Sequence, residues 1–194
     1  MLRKSLPLLL TFCLLLSACG PAPAQEETDQ DSFAVVATTY PVYLFACEVT
    51  RGAPGVSVAL MIDQPVSCLH DYTLTVKDME VLERADAILL SGAGLEESMA
   101  DALSAVSDTP QIDCSQDIPL REYEGLDHDH EGEALPAGHE HEADPHIWLD
   151  PNRACQMIGN LATGLAQADP DNAALYETNA QLAQDQVKQA YDLL

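Results

Sequence analysis

Phe33-Ala34-Val35-Val36-Ala37-Thr38-Thr39-Tyr40-Pro41 is the stretch from which the fold can be read. Its first six residues are small, apolar or β-branched and show no polar alternation, which is the pattern of a strand covered on both faces. Pro41 then falls where a helix begins, and Val42, Leu44, Phe45, Cys47 and Val49 carry that helix to a stop at Gly52. A doubly covered strand followed at once by a helix opens a βαβ unit.

Working outward, the same alternation repeats. Val56 to Ile62 reads as a second strand, and Thr75 to Ala85 as a helix with Val76, Met79, Val81 and Leu82 for its buried face. Ala87-Ile88-Leu89-Leu90 is a third strand; Ser91-Gly92-Ala93-Gly94 turns into a helix from Leu95 to about Val106, and Gln111 to Cys114 is a fourth strand. The expected fold is α/β: a four-stranded parallel sheet flanked by helices, with right-handed crossovers placing helices on both faces. Pro151 opens a helix to about Ala168. Asp169-Pro170 starts another, with Leu175, Leu182, Val187 and Tyr191 as its apolar positions, still running at Leu194.

Ahead of the first strand, Arg3 and Lys4 precede the apolar run Leu6 to Leu16, and Leu16-Ser17-Ala18-Cys19 ends it with small residues. That is a secretory leader over 1–18. A cysteine directly after the cut is a lipobox, so Cys19 is expected to be acylated and to tether the chain to a bilayer. Residues 19–32 are proline-rich, acidic and almost without apolar side chains, hence a flexible tether. Residues 33–168 are long enough for one compact domain with its own core, and a further helix follows over 169–194.

Charge narrows the partners. The chain has 8 basic and 32 acidic residues, and losing Arg3 and Lys4 leaves 6 − 32 = −26. Such a chain suits a cationic ligand and excludes nucleic acid or an anionic surface as partner. Outside the leader and lipobox, the cysteines are Cys47, Cys68, Cys114 and Cys155, and no spacing among them selects a disulfide pairing.

Histidine supplies the chemistry. His70 stands in Gln64-Pro65-Val66-Ser67-Cys68-Leu69-His70-Asp71-Tyr72, on the connection leaving strand two. His146 stands in Asp144-Pro145-His146-Ile147-Trp148, on the connection leaving strand four. In a parallel sheet both connections emerge at the carboxyl edge, where open α/β folds bind ligands. Neutral imidazole is the commonest protein ligand for zinc and suits nickel and copper. Either histidine alone is also what a loop uses to satisfy its own backbone; the pairing on one rim favours metal. Between them, residues 127–143 hold His128, His130, His139 and His141 among aspartates and glutamates. Without an apolar period this reads as an exposed loop that collects divalent ions weakly.

Together the lipobox, Val35 to Pro41, His70-Asp71-Tyr72, Ala85-Asp86-Ala87 through Ser91-Gly92-Ala93-Gly94 to Leu95-Glu96, and Asp144 to Pro151 resemble the solute-binding lipoproteins of bacterial zinc and manganese ABC importers. The resemblance covers nearly all of the chain beyond the leader, and Asp144 to Pro151 is its most specific part. It implies two α/β lobes joined by one long helix with the metal between them, of which this chain carries the first lobe over 33–168 and the start of the linking helix over 169–194, in a monomer. It also implies His70 and His146 as first-lobe ligands, Zn2+ as cargo with Mn2+ and Ni2+ as alternatives, an extracytoplasmic site, and a membrane permease as partner. The histidine-rich insert is closer to the zinc-type branch. Cys68 stands where the family usually has proline, as a structural thiol or a soft extra ligand. No enzymatic activity is implied. The other readings are a surface adhesion or metal-storage lipoprotein, and a zinc hydrolase with Asp71 as base, although no His-Glu-x-x-His motif is present.

Overall fold

The computed structural model describes residues 32–63, 72–121 and 143–193. The elements are β1 (Phe33–Ala37), α1 (Tyr40–Val49), β2 (Val56–Leu60), α2 (Val76–Glu83), β3 (Ala87–Leu90), α3 (Ala100–Ala105), β4 (Gln111–Asp113), α4 (Pro151–Ala168) and α5 (Ala173–Asp192), with short 3-10 turns at Glu97–Met99, Ile147–Leu149 and Pro170–Asn172. The four strands form one sheet in the order β2-β1-β3-β4, and every pairing is parallel. The expected α/β sheet is therefore present.

Strand alternation sends the core to two sides. Val35 and Ala37 of β1 and Leu89 of β3 join one apolar cluster with Val42 and Val49 of α1, Leu161 and Leu165 of α4, and Tyr176 of α5. Val36 and Ile88 face the other way, into a smaller cluster with Leu82 of α2 and Leu103 of α3. So the chain leaves β1 toward one face and β3 toward the opposite face. The carboxyl ends of β1 and β3 mark the point where the winding of the sheet reverses, which is where such sheets bind ligands.

The larger layer is held by close approach. At Gly164 of α4 an added Cβ would lie 2.5 Å from Ile112 Cγ2 of β4, so only glycine lets this helix sit so low on the sheet. On α5 the buried residues are Tyr176, Ala180 and Ala183. That corrects the expected face in part: Leu182 is 56% and Tyr191 57% exposed, while Val187 does pack against the core. The alanines win because their small side chains allow α5 to lie close along α4. Fully burying a leucine such as Leu161 or Leu165, each 0% exposed, contributes about 1.5–3 kcal/mol.

Two other expectations change. On α2, Val76 is 77% exposed and Asp78 is buried at 4%. Asp78 closes a capping box: Thr75 N (2.7 Å) and Thr75 Oγ1 (2.8 Å) donate to Asp78 Oδ2, while Thr75 Oγ1 accepts from Asp78 N. The helix expected from Leu95 begins only at Ala100, after the 3-10 turn. The delay follows from three consecutive positive φ values, Gly92 +78°, Ala93 +54° and Gly94 +85°, with Glu96 folded back onto the turn.

Cys47, Cys114 and Cys155 are unpaired thiols. Burial pushes the Cys114 thiol far above the usual range, which keeps it protonated. No helix among the described residues is long and apolar enough to cross a membrane; the leader, the tether and Cys19 lie outside them.

Candidate metal centre

His146 sits on the carboxyl rim, in the turn that leads into α4. Three anchors fix that turn. Asp150 caps α4 by accepting from Asn152 N (2.9 Å) and Arg153 N (3.3 Å), with Pro151 at the first helical position. Ile147 plugs the core at 1% exposure. Asp144 N donates to Arg121 O at 2.9 Å, which stitches the turn to the segment leaving β4.

The side chain of Asp144 does more. Its Oδ1 accepts from His146 N at 2.9 Å and meets the His146 ring Nδ1 at 2.8 Å. A carboxylate there holds the proton on Nδ1, which in the neutral ring makes Nε2 the lone-pair nitrogen. The backbone hydrogen bond from His146, then its side-chain hydrogen bond, holds Asp144 below the usual carboxylate range, so it is ionised at neutral pH. Trp148 meets the imidazole edge-on, with ring centroids 5.3 Å apart. The His146 side chain is 47% exposed. A half-exposed imidazole whose second nitrogen is bound by a carboxylate is how proteins present a metal ligand.

His70 and Asp71, with Cys68, fall outside the described residues, as do His128, His130, His139 and His141. What frames His70 is visible. Lys77 Nζ bonds Asp63 Oδ2 at 2.9 Å. Tyr72 donates its hydroxyl to Asp78 Oδ2 at 2.8 Å. Both ends of the 64–71 connection are thus tied to the start of α2, beside the carboxyl end of β2. Among the described residues no three histidine, cysteine or acidic side chains gather closely enough to hold a metal.

A glycine turn occupies the middle of the rim. Glu96, 7% exposed, accepts at Oε1 from Thr38 Oγ1 (2.7 Å) and Ser91 N (2.7 Å), and at Oε2 from Gly92 N (3.0 Å). Burial pushes its pKa up against the pull of these donors. The turn's amides are the kind that cradle phosphate, but here the chain's own carboxylate fills the cradle. That explains why Ser91 to Gly94 is not a nucleotide loop.

Sequence reasoning placed His146 but missed the residues that hold it. Asp144 was legible as an aspartate two positions before a loop residue whose backbone it can bond. The convergence of Thr38, Ser91 and Gly92 on Glu96 had no local signal, because it needs the β1–β3 register.

This rim has relatives. The profile of the family described as zinc-uptake complex component A, periplasmic (ZnuA), matches residues 35–192. The chain belongs to that family. It is 31% identical over 170 residues to the high-affinity zinc uptake system protein ZnuA of Bacillus subtilis (strain 168), covering 86% of this chain and 52% of that protein. It is 30% identical over 185 residues to the zinc-binding lipoprotein AdcA of Streptococcus pneumoniae serotype 4, covering 92% of this chain and 35% of that protein. The crystal structure of Zn(II)-bound AdcA from S. pneumoniae superposes with a TM-score of 0.64 at 26% identity, over 81% of this chain and 31% of that one. The ZnuA-family chain thus spans about half, or less, of the length of these relatives.

Proposed function

We propose that this chain is the metal-capturing part of the extracytoplasmic solute-binding component of an ABC importer, which binds Zn2+ and delivers it to a membrane permease. The observation that carries the reading is the Asp144–His146 pair on the carboxyl rim: an exposed imidazole locked into the tautomer that ligates through Nε2. Family membership and the names of zinc-binding relatives support it.

In this reading His146 Nε2 donates its lone pair to the cation while ionised Asp144 holds the ring by Nδ1–H. His70, on the connection beside β2, is the second imidazole. The four insert histidines collect ions weakly and pass them inward. Tetrahedral zinc takes four donors, so two fixed imidazoles from residues 33–168 bind it less tightly than a complete set does. Mn2+ and Ni2+ are the alternative cargoes. Capture and release need no bond-making chemistry, so the protein is not an enzyme. Acylated Cys19, beyond a leader over 1–18 and a tether over 19–32, anchors a monomer to the membrane with the lobe outside the cytoplasm, and residues 169–194 begin a linking helix.

The test is a zinc titration against a chromophoric chelator, using the full chain with His128, His130, His139 and His141 changed to Asn. His146→Ala and His70→Ala are each expected to weaken binding at least about tenfold, the loss of one of few inner donors. Equal affinity in all three proteins refutes the assignment. Storage by the insert is separated by the same data, since it predicts that the Asn background itself loses nearly all bound zinc.

A further inference from the structure

The chain's one tryptophan stands two residues after His146, on the turn into α4. The two rings lie in edge contact, with centroids 5.3 Å apart and planes inclined at 62°. Their supports differ. Trp148 is half-buried and packs against the larger apolar cluster, next to Ile147, which plugs it at 1% exposure. The His146 side chain is 47% exposed, and the Asp144 carboxylate that it meets is 41% exposed. The imidazole thus lies between a charged partner open to water and an aromatic wall seated on the core.

Those two neighbours do different jobs. Asp144 Oδ1 accepts from His146 N at 2.9 Å and meets the ring Nδ1 at 2.8 Å, which sets the nitrogen that holds the proton. It pins one atom of the ring, and a hydrogen bond tolerates a spread of angles. The torsion about the histidine Cβ–Cγ bond is itself soft, without the sharp staggered wells of an aliphatic side chain. The tilt of the ring therefore has to be imposed from outside. A metal ligand must be aimed to within about 10–20°. The indole supplies a rigid surface for that, because the 3-10 turn Ile147–Leu149 carries it and the core backs it.

We propose that Trp148 is a positioning residue for His146: its indole sets the tilt of the imidazole and so aims Nε2 at the captured cation, while Asp144 sets the tautomer. The inference rests on the zinc-capture reading above and concerns His146 alone among the ligands. An aromatic pair in edge contact is worth more than the apolar area it buries, and here that surplus is directed at a ring with a chemical task.

The experiment measures zinc affinity by chelator competition on the full chain carrying the four insert His→Asn changes. Trp148→Leu keeps an apolar cover over the core and removes the ring; it is expected to weaken zinc about two- to tenfold, the worth of an aromatic pair. Trp148→Phe keeps an aromatic wall and is expected to bind within about twofold of the parent. With His146→Ala in the background, Trp148→Leu should change the residual affinity by less than about twofold, the scatter of independent sites, because the ring it aims is gone. Equal affinity in the parent and Trp148→Leu overturns the proposal. So does the same loss in both backgrounds, since the indole would then act through the fold and not through His146. The parent provides a check that needs no variant: nuclear Overhauser contacts between indole and imidazole should be present without metal and persist on zinc loading, and their disappearance on loading overturns the proposal. If the parent itself binds no zinc, the capture reading fails and takes this inference with it, whereas zinc binding indifferent to Trp148→Leu sinks this inference alone.

Discussion

Gly92 and Gly94 offer a controlled pair for asking what holds the rim together. Both have left-handed φ, +78° and +85°, so alanine at either carries the same backbone penalty. That term is about 1 kcal/mol. Around Gly94 nothing lies within 4 Å of an added Cβ, so the penalty should be the whole effect. At Gly92 the new methyl would lie 1.9 Å from Asp113 Oδ1, 2.3 Å from Ser115 Oγ and 2.8 Å from Ser115 Cβ. Asp113 can swing toward solvent, but Ser115 Cβ moves only with its backbone. The shift breaks the bond from Ala93 N to Ser115 Oγ (2.9 Å) and at least one of the two that Ser115 gives Asp113 Oδ1 (2.7 Å each). At about 1 kcal/mol for each bond, Gly92→Ala should cost about 3 kcal/mol in all, roughly a 6–12 °C lower midpoint for a lobe of this size. Urea unfolding of both variants with the same slope reads the difference directly. If Gly92→Ala and Gly94→Ala lie within about 0.5 kcal/mol of each other, half of one such bond, the packing of the turn against β4 does not stabilise the rim.

Asp144→Ala should weaken zinc about 10- to 100-fold, the usual effect of losing a ligand's outer partner, and Asp144→Asn should recover part of it; equal affinity in parent and Ala variant would show that His146 needs no orienting group. Gly164→Ala should cost about 1–3 kcal/mol, because α4 must lift from Ile112, and an unchanged midpoint would mean the helix is free to shift. Zinc affinity should decline as acidity passes below about pH 6.5, where imidazole protonates; a profile flat from pH 7.5 to 5 excludes histidine ligation. Stability has its own acid limb. Hydrogen bonds from His146 lower the Asp144 pKa; at Asp78 burial raises it, but bonds from Thr75 and Tyr72 outweigh burial and the net direction is down. Both groups therefore contribute stability above their unfolded values, near pH 4, and lose it as pH falls through the lower folded ones. Asp78→Asn should flatten the unfolding midpoint's decline below pH 4, and an unchanged acid limb would contradict that.

What the sequence conveyed tracks how local each cause is. Val35, Val36 and Ala37 announce a strand covered on both faces, and Pro151 announces a helix, because those signals need only neighbours in the chain. The last helix was read from its large residues, Leu182 and Tyr191, yet it packs through Ala180 and Ala183; close approach rewards small side chains, and hydrophobicity scales do not register that. Asp78 was not among the residues expected on the buried face, because its burial depends on three donors from Thr75 and Tyr72. The delayed start of α3 depends on Glu96 reaching back to Thr38, a residue 58 positions away. The carboxyl rim was legible as a rim from topology alone, and His146 stands in the turn that leads into α4. Asp144, which holds His146, was readable two positions away; the convergence of Thr38, Ser91 and Gly92 on Glu96 follows from register, which no single stretch of sequence carries.

The backbone bond between Arg121 O and Asp144 N has a practical consequence. It holds the departure and return points of the intervening residues at one spot, so the ends stay fixed whatever is spliced between them. The entropy of closing a longer excursion grows only logarithmically, by about 0.6 kcal/mol per doubling. Evolution and protein engineers alike can lengthen, shorten or replace that excursion, even with a fluorescent reporter, at small thermodynamic cost and with His146 still held by Asp144 a few bonds away.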